Sequence, residues 1–298
     1  MTELLECRPV AEAVKKRTAE TVRELKEKGI SPKLAILRVG EKGPDLAYER
    51  GATKSLEEVG IEVEVHVLPE STDEETYIGK MKELNEDPTV HGILPFRPLD
   101  NIDEKRAITD VIDPLKDVDG STEVNLGKIL LGDTSALVPC TAQAVIEILD
   151  FYGIDAAGKN ITIVNRSNVI GKPLSMMLVS RHATVSVCNS RTKPLKRFTG
   201  QADIVVTAIP ATDVITGDMV NGNTVLIDAS VIRKRKTDSD GNPVINEKTG
   251  KPAMKTVGCC SEEVYKTAGK ITPVPGLGSI TSALLGGNLV NACINQQK

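Results

Sequence analysis

Hydrophobic and polar positions alternate between two periods along the first hundred residues. Val10 to Lys28 sets apolar residues at helical spacing among charges, and Lys33 to Val39 (KLAILRV) is a continuous apolar run of strand length. After the turn at Gly40 to Pro44, a second helical stretch from about Asp45 to Val59 stops at Gly60, and Ile61 to Leu68 alternates as a strand does. Ser71 to Asn85 opens with Ser-Thr-Asp-Glu-Glu, a helix-start signature, and His91 to Leu94 is a short strand that ends against Pro95 and Pro98. The plan resumes after Pro139. Thr141 to Tyr152 and Lys172 to Ser180 read as helices; Asn160 to Val164, Thr184 to Val187, Asp203 to Ala208 and Thr224 to Asp228 read as buried strands. Such alternation with short connections predicts an α/β protein built on parallel sheets. Segment 232–257 breaks the pattern: dense in Lys, Arg and Asp, with Asp-Gly-Asn-Pro and Thr-Gly-Lys-Pro turns, it predicts a solvated hairpin excursion.

A chain of 298 residues suggests two domains or one large one. Hydrophobic residues at 40% and charged ones at 26% exclude disorder, and no apolar run approaches the ~20 residues of a bilayer span, so no membrane is expected. The formal charge of -4 offers no general basic field, which disfavours nucleic acid; an anionic ligand would need locally placed cations. With no Trp, four Tyr and three Phe, ring platforms for a ligand are scarce. The cysteines at 7, 140, 188, 259, 260 and 293 form no CxxC pair and the three His are scattered, so no metal-ligand spacing is visible. The amino terminus lacks a basic and then apolar leader, so free thiols in the cytoplasm are expected.

In an open parallel sheet the ligand crevice lies at the carboxyl ends of the strands. The informative segment is therefore Ile161 to Pro173, a strand running into a loop and then a helix. It carries Gly171 alone instead of GxGxxG; taken by itself, it fits an ordinary strand-to-helix loop as well as a dinucleotide loop. The next strand end, Cys188-Asn-Ser-Arg-Thr-Lys193, lacks the acid that would accept bonds from a ribose 2'-hydroxyl. Ser190 and Arg191, with Arg166 and Ser167, are instead donors suited to a 2'-phosphate, so NADP is expected over NAD.

Several separated motifs then fall into one order. They are Tyr48, Glu57-Glu-Val-Gly-Ile61, Asp87-Pro-Thr-Val-His-Gly-Ile-Leu94, Asp117-Val-Asp-Gly120, Pro139-Cys-Thr-Ala, Tyr152-Gly-Ile, Ala157-Gly-Lys, Arg166-Ser-Asn-Val-Ile-Gly-Lys-Pro173, Ser190-Arg-Thr192, Ala202-Asp-Ile and Thr272-Pro-Val-Pro-Gly276. Along essentially its whole length the chain resembles the methylenetetrahydrofolate dehydrogenase/methenyltetrahydrofolate cyclohydrolase family. The resemblance implies two α/β domains flanking a cleft. The first, residues 1–139 plus 273–298, would bind folate; the second, 140–272, would be a Rossmann-like NAD(P)-binding domain; and a carboxyl-terminal helix would return to the first. It also implies a homodimer whose partner is a small molecule, a tetrahydrofolate derivative. The dehydrogenase step of such enzymes moves a hydride from the methylene carbon bridging folate N5 and N10 to C4 of nicotinamide, which needs positioning more than proton transfer. The cyclohydrolase step adds water to the methenyl carbon and moves a proton, so it benefits from a tuned base.

By this resemblance Tyr48 packs on the folate rings, and Asp119 accepts hydrogen bonds from the pterin amino and N–H groups, a task for a group that offers only acceptors. Pro275 and Gly276 belong to a glycine-rich segment lining the cleft, one residue shorter than the usual form. Asn165, Arg166, Ser167, Ser190 and Arg191 fall at the cofactor, Asn165 standing where the family usually has Gly. Two departures concern hydrolysis. The family's base, a Lys four residues after the Tyr, is Ala52 here, and the Gln that supports it is Phe96. Lys54, six residues after Tyr48, is the remaining catalytic candidate. At about 100° per residue it points about 120° away from Tyr48, whereas Ala52 lies within about 40°, so Lys54 could serve only if the helix were distorted at Gly51. The expectation is an NADP-dependent dehydrogenase with the cyclohydrolase weakened or lost. The alternatives are a fully bifunctional enzyme with Lys54 as substitute base and a non-catalytic folate- or nucleotide-binding protein; retention of Tyr48, Asp119, Arg166 and Ser190 argues against the latter.

Overall fold

The computed structural model describes residues 2–238, 242–245 and 250–297. The chain runs β1 (Glu3–Leu4), α1 (Cys7–Glu27), β2 (Lys33–Val39), α2 (Gly43–Glu57), β3 (Glu62–Leu68), α3 (Glu74–Glu86) and β4 (Gly92–Pro95), then a π-helical turn at Lys105–Thr109. It continues through α4 (Glu123–Leu131), α5 (Cys140–Phe151), β5 (Asn160–Val164), α6 (Gly171–Val179), β6 (Thr184–Cys188), α7 (Lys196–Thr199), β7 (Ile204–Thr207) and β8 (Val225–Asp228). A hairpin of β9 (Ile232–Arg235) and β10 (Met254–Val257) follows, then α8 (Val264–Thr267), β11 (Lys270–Ile271) and α9 (Leu277–Asn295).

Two compact units result. One comprises Arg8–Ala144 with the segment from Ser279 onward; the other comprises the residues up to Cys7 with Val145–Gly278. The first unit is built on a three-stranded parallel sheet of order β3-β2-β4. The apolar run Lys33–Val39 becomes its central strand, and the two-residue pleat divides that strand between two cores. Leu34 and Ile36 join Val22, Leu56, Leu285 and Leu289 in one cluster, while Ala35 and Leu37 join Tyr77, Met81, Leu84 and Ile108 in the other. Helix α9 therefore packs with α1 and α2 in the first unit. By length and composition it could cross a bilayer, with a mean hydropathy of 1.3, although the sequence reading found no such stretch. Sixty-one per cent of that window is buried within the fold, as expected for a core helix.

The second unit carries a six-stranded sheet of order β1-β11-β8-β7-β5-β6, with every pairing parallel. From β5 the chain goes to β6 on one side and then to β7 on the other, so the carboxyl ends of β5 and β7 form a topological switch point. The first residues, grouped with the folate domain in the sequence reading, add β1 to this sheet instead; Leu4 pairs with Ile271 and the Leu5 N–H donates to the Ile271 carbonyl (2.8 Å). The charged excursion is an antiparallel hairpin in which Met254 pairs with Arg235. Parts of its two expected turns, residues 239–241 and 246–249, lie outside the described residues.

Candidate active site

In the first unit α2 carries Tyr48, although its sequence, with Gly43, Pro44 and Gly51, is a weak helix former. Tertiary contacts hold it. Glu49 pairs with Arg38 of β2 at 2.5 Å, and both side chains are largely buried. The Tyr48 ring meets Phe96, just beyond β4, with centroids 5.3 Å apart and planes tilted by 49°. Phe96 in turn lies in the same apolar cluster as Ala52, which is 1% exposed.

Asp119 sits in the loop after the β4-side bridge of Ile93 to Asp117. Gly120, at φ +62°, turns the chain so tightly that a Cβ there would lie 2.3 Å from the Leu137 carbonyl oxygen. Asp117 fixes the loop by accepting from the Thr122 N–H (2.8 Å), Asn125 Nδ2 (3.1 Å) and Ser121 Oγ (3.3 Å). Asn288 of α9 donates to the carbonyls of Val118 and Val138, each at 2.8 Å. The Asp119 carboxylate itself accepts no hydrogen bond among the described residues. Burial, with the Asp117 charge adding and Arg97 opposing, raises its pKa to about 6. A carboxylate held this way is prepared for a donor-rich ligand. Desolvation of the two polar groups, with Asp119 close by, also pushes the Tyr48 phenol and the Cys140 thiol up, although Tyr48 as a whole is 49% exposed, so both remain protonated at neutral pH. A cavity of about 240 Å³ beside Phe96 is lined by Val39, Lys42, Asp45, Glu70 and Asp100.

Tyr48 and Asp119 are thus brought together, and Lys54 is not among them. Helix α2 runs unbroken through Gly51, and Lys54 is exposed on its far side, near Glu58, which pairs with Lys15 at 2.8 Å. Arg97, Cys140 and Asn288 were missed by sequence reasoning. Arg97 follows Phe96 directly and Cys140 lies within the motif Pro139-Cys-Thr-Ala, so both had a local signal; Asn288 had none, since its partners are 170 and 150 residues away.

In the second unit the loop after β5 is organised by Asn165. Its Oδ1 accepts from the Ser167 N–H (2.8 Å) and the Gly171 N–H (3.2 Å), and its Nδ2 donates to the Ala208 carbonyl (2.7 Å), tying the ends of β5 and β7 together. The side chain is spent on the loop. A Cβ at Gly171 would lie 2.1 Å from the Asn165 carbonyl oxygen, so only glycine opens α6 here. Arg166, Ser190 and Arg191 are exposed, and neither arginine has an ion-pair partner among the described residues. Ser167 Oγ accepts from the Ile170 N–H (3.1 Å), leaving its own proton to donate. A backbone loop at a switch point, a helix start and two unpaired guanidinium groups fit a nucleotide carrying phosphates. Pro275 is exposed, and Gly276 packs against Cys7 and the Pro273 carbonyl in this same unit.

The two sheets and these two constellations define a two-unit α/β protein, one unit presenting an acidic and aromatic pocket and the other a nucleotide loop. Sequence profiles described as tetrahydrofolate dehydrogenase/cyclohydrolase match it twice, the catalytic domain over residues 5–119 and the NAD(P)-binding domain over 139–297. The chain belongs to the tetrahydrofolate dehydrogenase/cyclohydrolase family, and its carboxyl-terminal half is that family's nicotinamide-nucleotide domain. It is 43% identical to the bifunctional protein FolD of Clostridium botulinum over 98% of each chain. Among solved structures it resembles the bifunctional methylenetetrahydrofolate dehydrogenase/cyclohydrolase of Campylobacter jejuni (TM-score 0.88, 34% identity, 99% of this chain and 100% of that one). It also resembles the Trypanosoma brucei enzyme, complexed with NADP and an inhibitor (TM-score 0.87, 28% identity, 100% and 99%).

Proposed function

We propose that the protein is an NADP-dependent methylenetetrahydrofolate dehydrogenase whose cyclohydrolase step is weak or absent. The observation that carries the second half is the joint burial of Ala52 and Phe96 in one apolar cluster, with Lys54 exposed on another face of α2. Asp119 would hold the pterin through its amino and N–H groups, and Tyr48, backed by Phe96, would stack on the folate rings. The cofactor, when bound, supplies the hydride acceptor. Arg166 and Ser167 would hold its phosphates, and Ser190 and Arg191 its 2'-phosphate, while Asn165 acts by positioning the loop; the NADP complex of the trypanosomal relative supports this choice. Hydride transfer asks no proton of the protein, so a pocket of protonated Tyr48 and Cys140 suffices for it. Hydrolysis asks for a base, and Asp119, the one titratable group there shifted close to neutrality, is committed to the pterin.

The bifunctional relatives favour a second reading, a complete dehydrogenase/cyclohydrolase that forms 10-formyltetrahydrofolate, in which Lys54 would have to serve as base. Incubation with methylenetetrahydrofolate and NADP or NAD tests the proposal. Reduction of NADP with accumulation of the methenyl product is expected; no reduction of either nucleotide would overturn the dehydrogenase assignment. The family resemblance also leads us to expect a homodimer, with a sedimentation mass twice the 32.0 kDa of the chain.

A further inference from the structure

We infer that Asp228, Cys259 and Cys260 form a binding site for one thiophilic divalent cation of the zinc class, at the carboxyl edge of the six-stranded sheet, where β8 lies two strands from the β5 that feeds the nucleotide loop. The sequence shows no metal-ligand spacing because the ligands come from the end of β8 and from a bend 31 residues later. One atom from each residue, a carboxylate oxygen or a sulfur, lies within 4.8 Å of the others. Cys259 Sγ is 3.7 Å from Asp228 Oδ1. A tetrahedral zinc ion with bonds of ~2.3 Å to sulfur and ~2.0 Å to oxygen needs sulfur–oxygen and sulfur–sulfur separations of about 3.6 and 3.8 Å. The Cys259–Asp228 pair therefore stands at ligand separation, and Cys260 Sγ, within 4.8 Å of both, has at most about 1 Å to close.

The surroundings are built to keep them so. In a regular strand adjacent side chains would point to opposite faces; here the bend that follows β10 lets both sulfurs converge on Asp228. A Cβ at position 258 would lie 2.1 Å from Asp228 Oδ2, so Gly258 is what allows the chain to pass over the carboxylate. Asp228 is 1% exposed and has no cationic partner within salt-bridge distance among the described residues. Its Oδ2 accepts from the N–H groups of Cys259 (2.9 Å) and Cys260 (3.3 Å), and its Oδ1 accepts from the Ser230 N–H (2.9 Å) and, on the sulfur side, from the Cys259 S–H, whose loss on metal binding frees that lone pair for the ion. Thr207 Oγ1, 2.9 Å from Cys259 Sγ, orients that sulfur. Cys260 lines a cavity of about 280 Å³ with Asp213, Lys234, Lys255, Glu262 and Tyr265, which gives an ion an entry path and room for a water as fourth ligand. Binding forms two metal–sulfur bonds as each S–H bond releases its proton to solvent, without change of oxidation state.

Titration of the reduced, metal-free full-length protein with Co²⁺ tests this. A sulfur-to-cobalt charge-transfer band should saturate at one ion per chain and vanish on adding Zn²⁺. Cys260→Ser, with an unchanged far-UV dichroism spectrum, should weaken binding by at least the ~10–100-fold that loss of an outer-shell partner costs. Zn²⁺ should also protect Cys260 of the unaltered protein from alkylation, as read by peptide mapping, which requires no variant. Absence of the band, an equal band in Cys260→Ser, or unchanged alkylation of Cys260 would overturn the site.

Discussion

At Asp119, burial and the Asp117 charge hold the carboxyl near 6, and this sets two opposed dependences on pH. The folded value lies above the ordinary carboxylate value, so ionising Asp119 costs folding free energy at high pH; the cost shrinks as pH falls through about 6 toward 3.8. The proposed pterin binding would run the other way, because the protonated acid loses acceptor capacity. Asp119→Asn should therefore raise the melting temperature at pH 8, with the gain disappearing by pH 4 in thermal scans. The same variant should raise the KM for methylenetetrahydrofolate by about 10- to 100-fold, the ~1.5–3 kcal/mol of a hydrogen bond to a charged group. A melting temperature unchanged at pH 8 would remove the stated burial cost. A second residue-scale reading concerns Phe96. In a chain with only three Phe it stands, by the family resemblance, where an amide is expected, and it is buried in the same apolar cluster as Ala52, so the aromatic scarcity seen in the sequence gives this one ring weight.

At the scale of elements, α2 is a poor helix former held by one largely buried ion pair. Glu49→Ala should leave Arg38 unpaired and cost about 3–5 kcal/mol in denaturant titrations, with a higher KM for folate as Tyr48 loses its mount. A loss below 1 kcal/mol would show that apolar packing alone carries α2. The parallel strands were legible in the sequence because their apolar runs are bounded by Gly and Pro; Lys33–Val39 and Asn160–Val164 are observed with the bounds read from the sequence. Helix α4 was missed. Its caps, Thr122 accepting from the Asn125 N–H and Gly132 in the left-handed region, are local signals, but its apolar residues show no clear amphipathic period. Strands β1 and β11 have two residues each and exist only by pairing with each other and with β8, an arrangement that no local pattern encodes. Of the candidate site, Tyr48 and Asp119 were legible through family motifs, whereas the loop-organising role of Asn165 depends on Ala208, 43 residues away.

For the whole molecule, a net charge of -4 means that anionic ligands are met by a few placed cations and not by a general field. Arg191 is exposed and unpaired at the end of β6, so Arg191→Ala should raise the KM for NADP about tenfold or more while leaving that for NAD and the folding stability nearly unchanged. Equal effects on both nucleotides would contradict recognition of the 2'-phosphate. The central claim is that filling the hydrolytic corner with Ala52 and Phe96 separates two activities that the relatives' names join. The rate at which purified protein consumes methenyltetrahydrofolate, measured beside a Lys54→Ala variant and a protein-free buffer, tests it most directly. The unaltered protein should consume methenyltetrahydrofolate little faster than buffer and no faster than Lys54→Ala; rapid hydrolysis by the unaltered protein that Lys54→Ala abolishes would contradict the separation.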